Sequence, residues 1–474
     1  MKNTLTSLPS VNDVVEAVLL RASESRALIV LRAREVIEAH RAGIMAGAMQ
    51  RMGKAETLAQ IAGDVTAALA PGLRRVINAT GVVLHTGLGR APLADEAIAA
   101  LVAAARFCNV QADLDEGMRS LREAHTESLL CHLTGCEAAT IVNNNAGATL
   151  VTLAAIAKGR EVIVSRGELV EIGGSYRIPE VMAQSGAVLV EVGCTNRTHL
   201  RDYEAAITEQ TVAIMKVHTS NYAIQGFTSS VSLEELSPLA STRDLILVHD
   251  MGSGSLIDFA AHGLGGEPPA GLSIQQGAHV VTFSGDKLVG GPQAGLIIGS
   301  RALIERIRSH PLARALRVDK LVLASLEATL RLMLDPQEAV SRIPALRMIT
   351  AQNSDLQPRA KRLALRLRRR YHLETRVSPG ASRAGSGAFP VLDLPTTLIE
   401  VDPGPLGATE AARRLRQGSP SVFVRITNDR LIVDVRTVFP EEERDLAAAL
   451  GEVAGGSSRA LEDAAPQPRM EIQD

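Results

Sequence analysis

The sequence predicts an α/β protein in three parts: a helical N-terminal domain, one large domain on a mostly parallel sheet, and a small α+β C-terminal domain. Three observations predict it. Short apolar runs alternate with helical patterns from about residue 75 to residue 300, the rhythm of a sheet covered on both faces. Before that stretch, apolar residues recur only at helical spacing. After about residue 372, strand and helix patterns mix over short distances. At 474 residues the chain has room for about three domains of roughly 150 residues.

The elements follow in order. The helical part spans 1–70: Val14, Val15, Val18 and Leu19 recur at helical spacing, a second helix is expected from residue 25 to about 51, and Pro71-Gly72 ends the pattern. Its charge is nearly balanced, with 8 Lys+Arg against 7 Asp+Glu. In the large domain, 71–335, strands are expected at 139–142, 161–165, 187–192, 212–217, 245–249, 280–283 and 296–299. Residues 301–370 return to helix and are basic, with 16 Lys+Arg against 6 Asp+Glu. Their densest run is 359–370, and a solvated helix face is its plainest reading. The small domain, 336–454, is expected to hold a strand at 397–401, a helix at 408–415, strands at 422–426 and 431–435 around Asn428-Asp429, and a helix from Glu441. Residues 455–474 are Gly, Ser, Pro and charge, the composition of a disordered tail.

Composition excludes several classes. Hydrophobic residues make up 46% and charged residues 22%, with a net charge of −2, so no overall polybasic character announces a partner. With 0 Trp, 4 Tyr and 7 Phe, the core must be aliphatic, and an aromatic stacking surface for single-stranded nucleic acid is excluded. No apolar run approaches the roughly 20 residues of a membrane span, and the N-terminus lacks the apolar stretch of a signal peptide. Cys108, Cys131, Cys136 and Cys194 form no C-x-x-C pair, so neither a disulfide framework nor a zinc site is expected, and a reducing cytoplasm is the default. No metal ligand set stands out.

The chemistry lies at strand ends. Strand 280–283 runs into Ser284-Gly285-Asp286-Lys287, which places a lysine at the carboxyl edge of the sheet, where ligands of α/β domains bind. A serine three residues before the lysine suits a cofactor phosphate while the lysine bonds the cofactor covalently; alone, S-x-x-K is a weak pattern. Upstream, strand 245–249 ends in Asp250, a carboxylate able to keep a pyridinium nitrogen protonated, or equally a cap or loop hydrogen bond. Further upstream, Asn143, Asn144, Asn145, Ala146 and Gly147 follow a strand and open a helix, where free N–H groups suit a phosphate or simply cap the helix. Strand–NNNAGA–helix, then strand–Asp, then strand–SxxK is the chain order of a fold-type-I pyridoxal 5'-phosphate enzyme, the aspartate-aminotransferase-like fold. Competing phosphate motifs are absent: Gly87-Leu-Gly89-Arg90 lacks the third glycine of a dinucleotide fingerprint, and there is no P-loop.

On longer stretches the chain resembles the bacterial selenocysteine synthases, the L-seryl-tRNA(Sec) selenium transferase family. These are INATGVVLHTGLGRAPL (77–93), VNNNAGA (142–148), IVSRGELVEIGGSYRIPEVM (163–182), VHTSNYAIQGFT (217–228), DMGSGSL (250–256), SGDKLVGGPQAG (284–295) and PLARALRVDK (311–320). The resemblance runs from about residue 8 to about 450. It implies that Lys287 holds pyridoxal phosphate and then removes the α-proton of the seryl group. Asp250 would pair the ring nitrogen, and Asn144, Asn145, Ala146, Gly147 and Ser284 would complete the cofactor site. The serine hydroxyl is lost, and selenium from selenophosphate adds to the β-carbon to give selenocysteinyl-tRNA(Sec). The resemblance also implies an anion site at Arg314 and Arg317, whose i, i+3 spacing puts both on one helix face if the helix continues. Arg90 and Arg119 would be further substrate arginines, and Arg425 a contact for the substrate's carboxyl end, with a structural role equally open. It further implies a dimer-based homo-oligomer, a decamer in this family, and tRNA binding by the N-terminal helical module; the basic 301–370 segment is the other candidate for the RNA.

The chain departs from the family pattern at Gly87, at Phe107-Cys108-Asn109, and at Met118, Ser120 and Glu123 within 117–127, while Arg119, Arg122, His125 and Glu127 keep their places. Two alternatives stay open on the sequence: a paralogous lyase acting on a free amino acid or amino sugar acid, and a non-catalytic tRNA-binding paralogue. With so few rings, the cofactor face is expected to be covered by Glu168, His218 or another non-aromatic side chain, and RNA contact is expected through phosphate and shape.

Overall fold

The computed structural model describes residues 8–20, 23–47, 52–173 and 176–455. The expected tail thus lies, beyond Gly455, outside the described residues. The chain divides into two compact units, Met1–Arg75 and Val76–Asp474. In the first, helices Val11–Leu19, Arg26–Met45 and Lys54–Leu69 pack around Val14, Val15, Val18, Ile29, Ile37, Ile61 and Val65. Ser10 and Ser25 cap the first two helices through their hydroxyl oxygens, which satisfies amide N–H groups left open at a helix start. The second helix stops at Met45; residues 48–51, where the periodicity extends it, are outside the described residues.

The second unit is built on a seven-stranded sheet. In spatial order its strands are Ala138–Val142, Gly295–Gly299, Val280–Ser284, Ile246–Gly252, Thr211–Val217, Glu161–Ser165 and Val188–Val192. All pairings are parallel except those of Gly295–Gly299, which runs antiparallel between its two neighbours. Alternate residues feed opposite faces. Val162 and Val164 pack with Leu153, Ile156 and Met182 on one side, while Ile163 packs with Tyr203, Leu236 and Leu247 on the other. Each such aliphatic side chain contributes about 1.5–3 kcal/mol when buried, so an aliphatic core suffices without rings.

Register decides what meets at the carboxyl edge. Gly295 pairs with both Val142 and Ser284, so the start of the antiparallel strand lies beside the ends of two parallel ones. Strand Ile246–Gly252 runs three residues past His249 and holds Asp250 within it, opposite Val217 and Thr282. Asp250 is therefore fixed by ladder pairing, not placed in a following loop.

A four-stranded antiparallel sheet forms the other part of this unit, in the order Thr375–Ser382, Leu394–Val401, Arg430–Asp434, Arg425–Thr427. Helices Asn353–Tyr371, Ala408–Gln417 and Glu443–Ala454 pack on it around Leu363, Leu367, Ile399, Val433 and Leu446. The strand Thr375–Ser382 has no counterpart in the sequence reading, since Pro379 and Gly380 break its pattern. The expected strand 422–426 is two strands: Ser421–Phe423 leaves the sheet and pairs in parallel with Val76–Asn78, so the first strand of this unit joins its last part. Among the described residues no helix is long and apolar enough to cross a membrane.

Candidate active site

At the carboxyl edge lies a cavity of about 300 Å³, within the range of small-molecule sites. Of the residues singled out from the sequence, Arg90, Asn144, Asn145, Ala146, Asp250, Ser284 and Lys287 line it. Val170, Ile172, Gly173, Tyr176, Val217, His218, Gly252, Asp286 and Gln293 complete the wall.

Lys287 is 5% exposed, and among the described residues its Nζ forms no hydrogen bond or ion pair. Burial lowers its pKa, as does the Arg90 guanidinium, while the carboxylates of Asp286, Asp250 and Glu267 push the other way. Asp250 is equally buried and held from three sides. Its Oδ1 accepts from Asn145 Nδ2 at 2.7 Å and from the Gly252 N–H at 3.0 Å, and its Oδ2 accepts from Thr149 Oγ1 at 3.0 Å. Three donors fix the orientation of this carboxylate.

Helix Asn145–Ala157 begins at the cavity. Asn144 caps it, with Oδ1 accepting from the Gly147 N–H at 2.8 Å. That leaves the Asn145 and Ala146 N–H groups of the first turn open toward an anion. Gly147 itself faces away from the main cavity; a Cβ there would meet Leu316 at 3.3 Å. Gly295 is tighter still, since a Cβ would lie 2.1 Å from the Asn144 carbonyl oxygen. Gly295→Ala is expected to shift the cap and lower cofactor affinity by at least about tenfold, an overpacking cost of roughly 1–3 kcal/mol. Titration of the cofactor-free protein with pyridoxal phosphate, followed by absorbance, measures it.

Arg90 does not stand free. Its Nη1 donates to Asp286 Oδ2 at 2.7 Å, and its backbone is left-handed at φ 63° beside Gly89. Sequence reasoning gave Asp286, Tyr176 and Gln293 no place in the cavity wall, although all three stand inside the stretches that carry the family resemblance; His218, expected over the cofactor face, does line the cavity. His218 Nε2 lies 3.3 Å from Glu267 Oε2, a carboxylate also bonded by Ser253 Oγ and the Phe389 N–H. Tyr176 is largely buried, and that burial together with the Asp250 carboxylate raises its pKa, so its hydroxyl stays protonated. Glu168 does not reach this cavity: Lys216 Nζ and the Val217 N–H bind its carboxylate at 2.9 and 3.0 Å, in a neighbouring polar cavity that shares Val217 and His218.

The other arginines lie outside the cavity. Helix Pro311–Ala315 ends before Arg317, so Arg314 and Arg317 do not share a helix face. The backbone leaves the helix because the Leu316 carbonyl accepts from the Asn143 N–H at 2.9 Å and Arg317 bridges to Val142. Both side chains are exposed. Arg317 stands near Arg122, whose pKa is lowered by burial and then by that neighbouring cation. Arg119 is exposed on the 112–119 turn. Arg425 sits on the small sheet, with Nη2 3.7 Å from Asp434 Oδ2 and Nη1 donating to the Ala381 carbonyl at 3.4 Å.

The donor set fits pyridoxal phosphate. An amine without a partner, a carboxylate already fixed by three donors, two open N–H groups and the buried Ser284 hydroxyl face one cavity. Asn145 Oδ1 is buried there with no hydrogen-bond partner, an acceptor unmet by protein. Fold and site together define a fold-type-I pyridoxal phosphate-dependent enzyme. The family model described as L-seryl-tRNA selenium transferase matches residues 76–439. The chain is 48% identical over 470 residues to the L-seryl-tRNA(Sec) selenium transferase of Nitratidesulfovibrio vulgaris, covering 96% of this chain and 100% of that one. It is 49% identical over 463 residues to that of Solidesulfovibrio magneticus, covering 95% and 98%. The chain belongs to the L-seryl-tRNA selenium transferase family. The solved structure of a D-glucosaminate-6-phosphate ammonia-lyase, 22% identical with a TM-score of 0.56, covers 81% of this chain and 96% of its own and shares the fold.

Proposed function

We propose that this chain converts seryl-tRNA(Sec) to selenocysteinyl-tRNA(Sec) with selenium from selenophosphate. The observation that carries the reading is the meeting of a buried, unpaired Lys287 and a fixed Asp250 in one cavity of a chain from this family. When bound, pyridoxal phosphate supplies a sink for the electron pair left at the serine Cα. Lys287 takes the proton from that carbon, and its lowered pKa keeps more of it as free amine near neutrality. Asp250 keeps the proton on the ring nitrogen. The Asn145 and Ala146 N–H groups, with the Ser284 hydroxyl, hold the phosphate, and Tyr176 and His218 bound the remaining space. The proton taken by Lys287 is then available to the departing serine hydroxyl.

Arg90 is the nearest cation for the selenophosphate anion. Arg314, Arg317, Arg119 and Arg425 are assigned to substrate by the family resemblance and lie outside the cavity of a single chain. This supports a dimer-based homo-oligomer in which a second copy completes the anion site; a decamer is what the family resemblance implies. The N-terminal helical unit is assigned tRNA contacts on the same ground. A tRNA-bound substrate and four free cysteines suit a reducing cytoplasm.

The test is the aminoacyl product. Seryl-tRNA(Sec) incubated with the holoenzyme and selenophosphate is expected to yield selenocysteinyl-tRNA(Sec). Turnover of free amino acids with the charged tRNA unchanged would overturn the reading. Asp250→Asn keeps an acceptor oxygen for Asn145 and the Gly252 N–H, turns the position facing Thr149 Oγ1 into a donor, and loses the charge. It is expected to retain bound cofactor and lose about 10²–10³-fold in kcat, the scale of one preorganised electrostatic group. A loss under tenfold would remove Asp250 from this role.

A further inference from the structure

Helix Asn353–Tyr371 has no part in the site described above, yet it holds the densest charge in the chain. Its buried positions are Leu356, Ala360, Leu363, Ala364 and Leu367. At 3.6 residues per turn these fall on one side, and Lys361, Arg362, Arg366, Arg368, Arg369 and Arg370, all exposed, fill the remaining arc. Among the described residues none of the six forms a hydrogen bond or ion pair; Arg370 only lies over the Tyr371 ring.

Other arginines of the same unit behave differently. Arg413 and Arg414 share Glu410, Arg331 pairs with Glu327, and Arg359 of this very helix pairs with Glu443 at 2.8 Å. Folding does not explain the accumulation. Arg362, Arg366 and Arg370 succeed one another at i, i+4, where like charges destabilise a helix. The helix dipole favours cations in the last turn only, which leaves Lys361, Arg362 and Arg366 without that compensation. Arg376, exposed on the adjoining strand Thr375–Ser382, adds a seventh cation.

We infer that this face docks the phosphate backbone of the tRNA substrate, an inference that rests on the function proposed above. A chain with net charge −2 attracts a polyanion only where its cations are concentrated. With 2% aromatic residues, phosphate contact is the mode its composition permits. Five of the six side chains are arginines, whose forked donors match phosphate oxygens. Such contacts position RNA without reading its sequence.

The test uses full-length holoenzyme and a variant carrying Lys361→Gln, Arg362→Gln, Arg366→Gln and Arg369→Gln. Binding of tRNA(Sec) is measured against salt concentration. Each lost phosphate contact lowers the slope of log affinity on log salt by about 0.7–0.9. The variant is expected to show a slope smaller by about 3 and affinity weaker by roughly 10–100-fold at low salt. Melting temperature and cofactor absorbance report an intact fold and site. A second variant with Arg362, Arg366 and Arg369 all changed to Lys keeps the charge and is expected to keep most of the slope. Equal affinity and slope for wild type and the Gln variant would overturn the inference, whatever the enzyme's product. If wild type binds tRNA(Sec) with the expected slope but makes no selenocysteinyl-tRNA, the functional reading fails and the surface stands.

Discussion

Lys287→Ala is expected to abolish the visible absorbance of covalently held pyridoxal phosphate and to lower turnover by at least about 10⁴-fold. Loss of proton transfer alone accounts for roughly 10²–10⁴, and loss of the covalent anchor adds to it. Nothing in the fold depends on this amine: it makes no hydrogen bond among the described residues. A second consequence concerns stability. The cofactor-free folded protein holds Lys287 below its ordinary pKa of 10.5, whereas the unfolded chain does not. Between the lowered value and 10.5 the unfolded chain therefore binds the proton that the folded chain has released. Stability rises with pH across that window; below it both states are protonated and the full cost of burying the ammonium remains. Lys287→Met keeps the volume without the charge. Melting of the two cofactor-free proteins from about pH 7 to about pH 10 is expected to show the wild type gaining on the variant. Parallel curves would show that the amine is not held low, and retained visible absorbance in Lys287→Ala would place the anchor elsewhere.

Arg436→Ala is expected to cost about 3–5 kcal/mol, the range for breaking a buried charged network. Arg436 is 2% exposed. Its Nη1 donates to the carbonyls of Met348 and Ala351 at 2.7 and 2.9 Å, Nη2 to that of Pro395 at 2.6 Å, and Nε to Ser382 Oγ at 2.9 Å. Asp434, fully buried, accepts from Ser382 Oγ at 2.7 Å, Thr396 Oγ1 at 2.9 Å and the Arg436 N–H at 3.0 Å. The pair thus joins three strands of the small sheet to helix Pro344–Thr350. Truncation removes the guanidinium donors from three carbonyls and from Ser382, and leaves Arg425 as the cation beside Asp434. Arg436→Met, which restores volume without donors, is expected to recover little. Equilibrium denaturation of both variants checks this, and a change below about 1 kcal/mol would show that the network does not hold the sheet.

These two residues mark the limits of reading the chain unaided. Lys287 was legible because its signal is local: an apolar run, then Ser284-Gly285-Asp286-Lys287, fixes both the strand and the edge from which the lysine points. Asp250 and the 143–147 asparagine turn were legible for the same reason. Arg436 carried no signal, since its partners come from residues 348 to 395. Tyr176 lies in a short hairpin within a stretch that the resemblance covered, but forms no motif with its sequence neighbours; of the two residues named for the cofactor face, His218 lines the cavity and Glu168 does not. Arg314 and Arg317 misled by spacing, because the helix that would align them ends when Leu316 bonds Asn143.

The sequence by itself determined the α/β architecture, the three strand ends that meet at the cavity, and the family. Each depends on periodicity or on a motif a few residues long, and short-range sterics settle those. Only the tertiary structure decided which cations face the cavity and which are spent elsewhere. Arg90 meets Asp286 across 196 positions of chain, Arg425 turns to the buried Asp434, Arg359 pairs with Glu443, and Arg362, Arg366, Arg368 and Arg369 of the same helix form no ion pair among the described residues. A guanidinium on a long flexible stem takes whichever carboxylate the folded chain brings within reach, and that choice is made by sheet register and strand order rather than by neighbours in sequence.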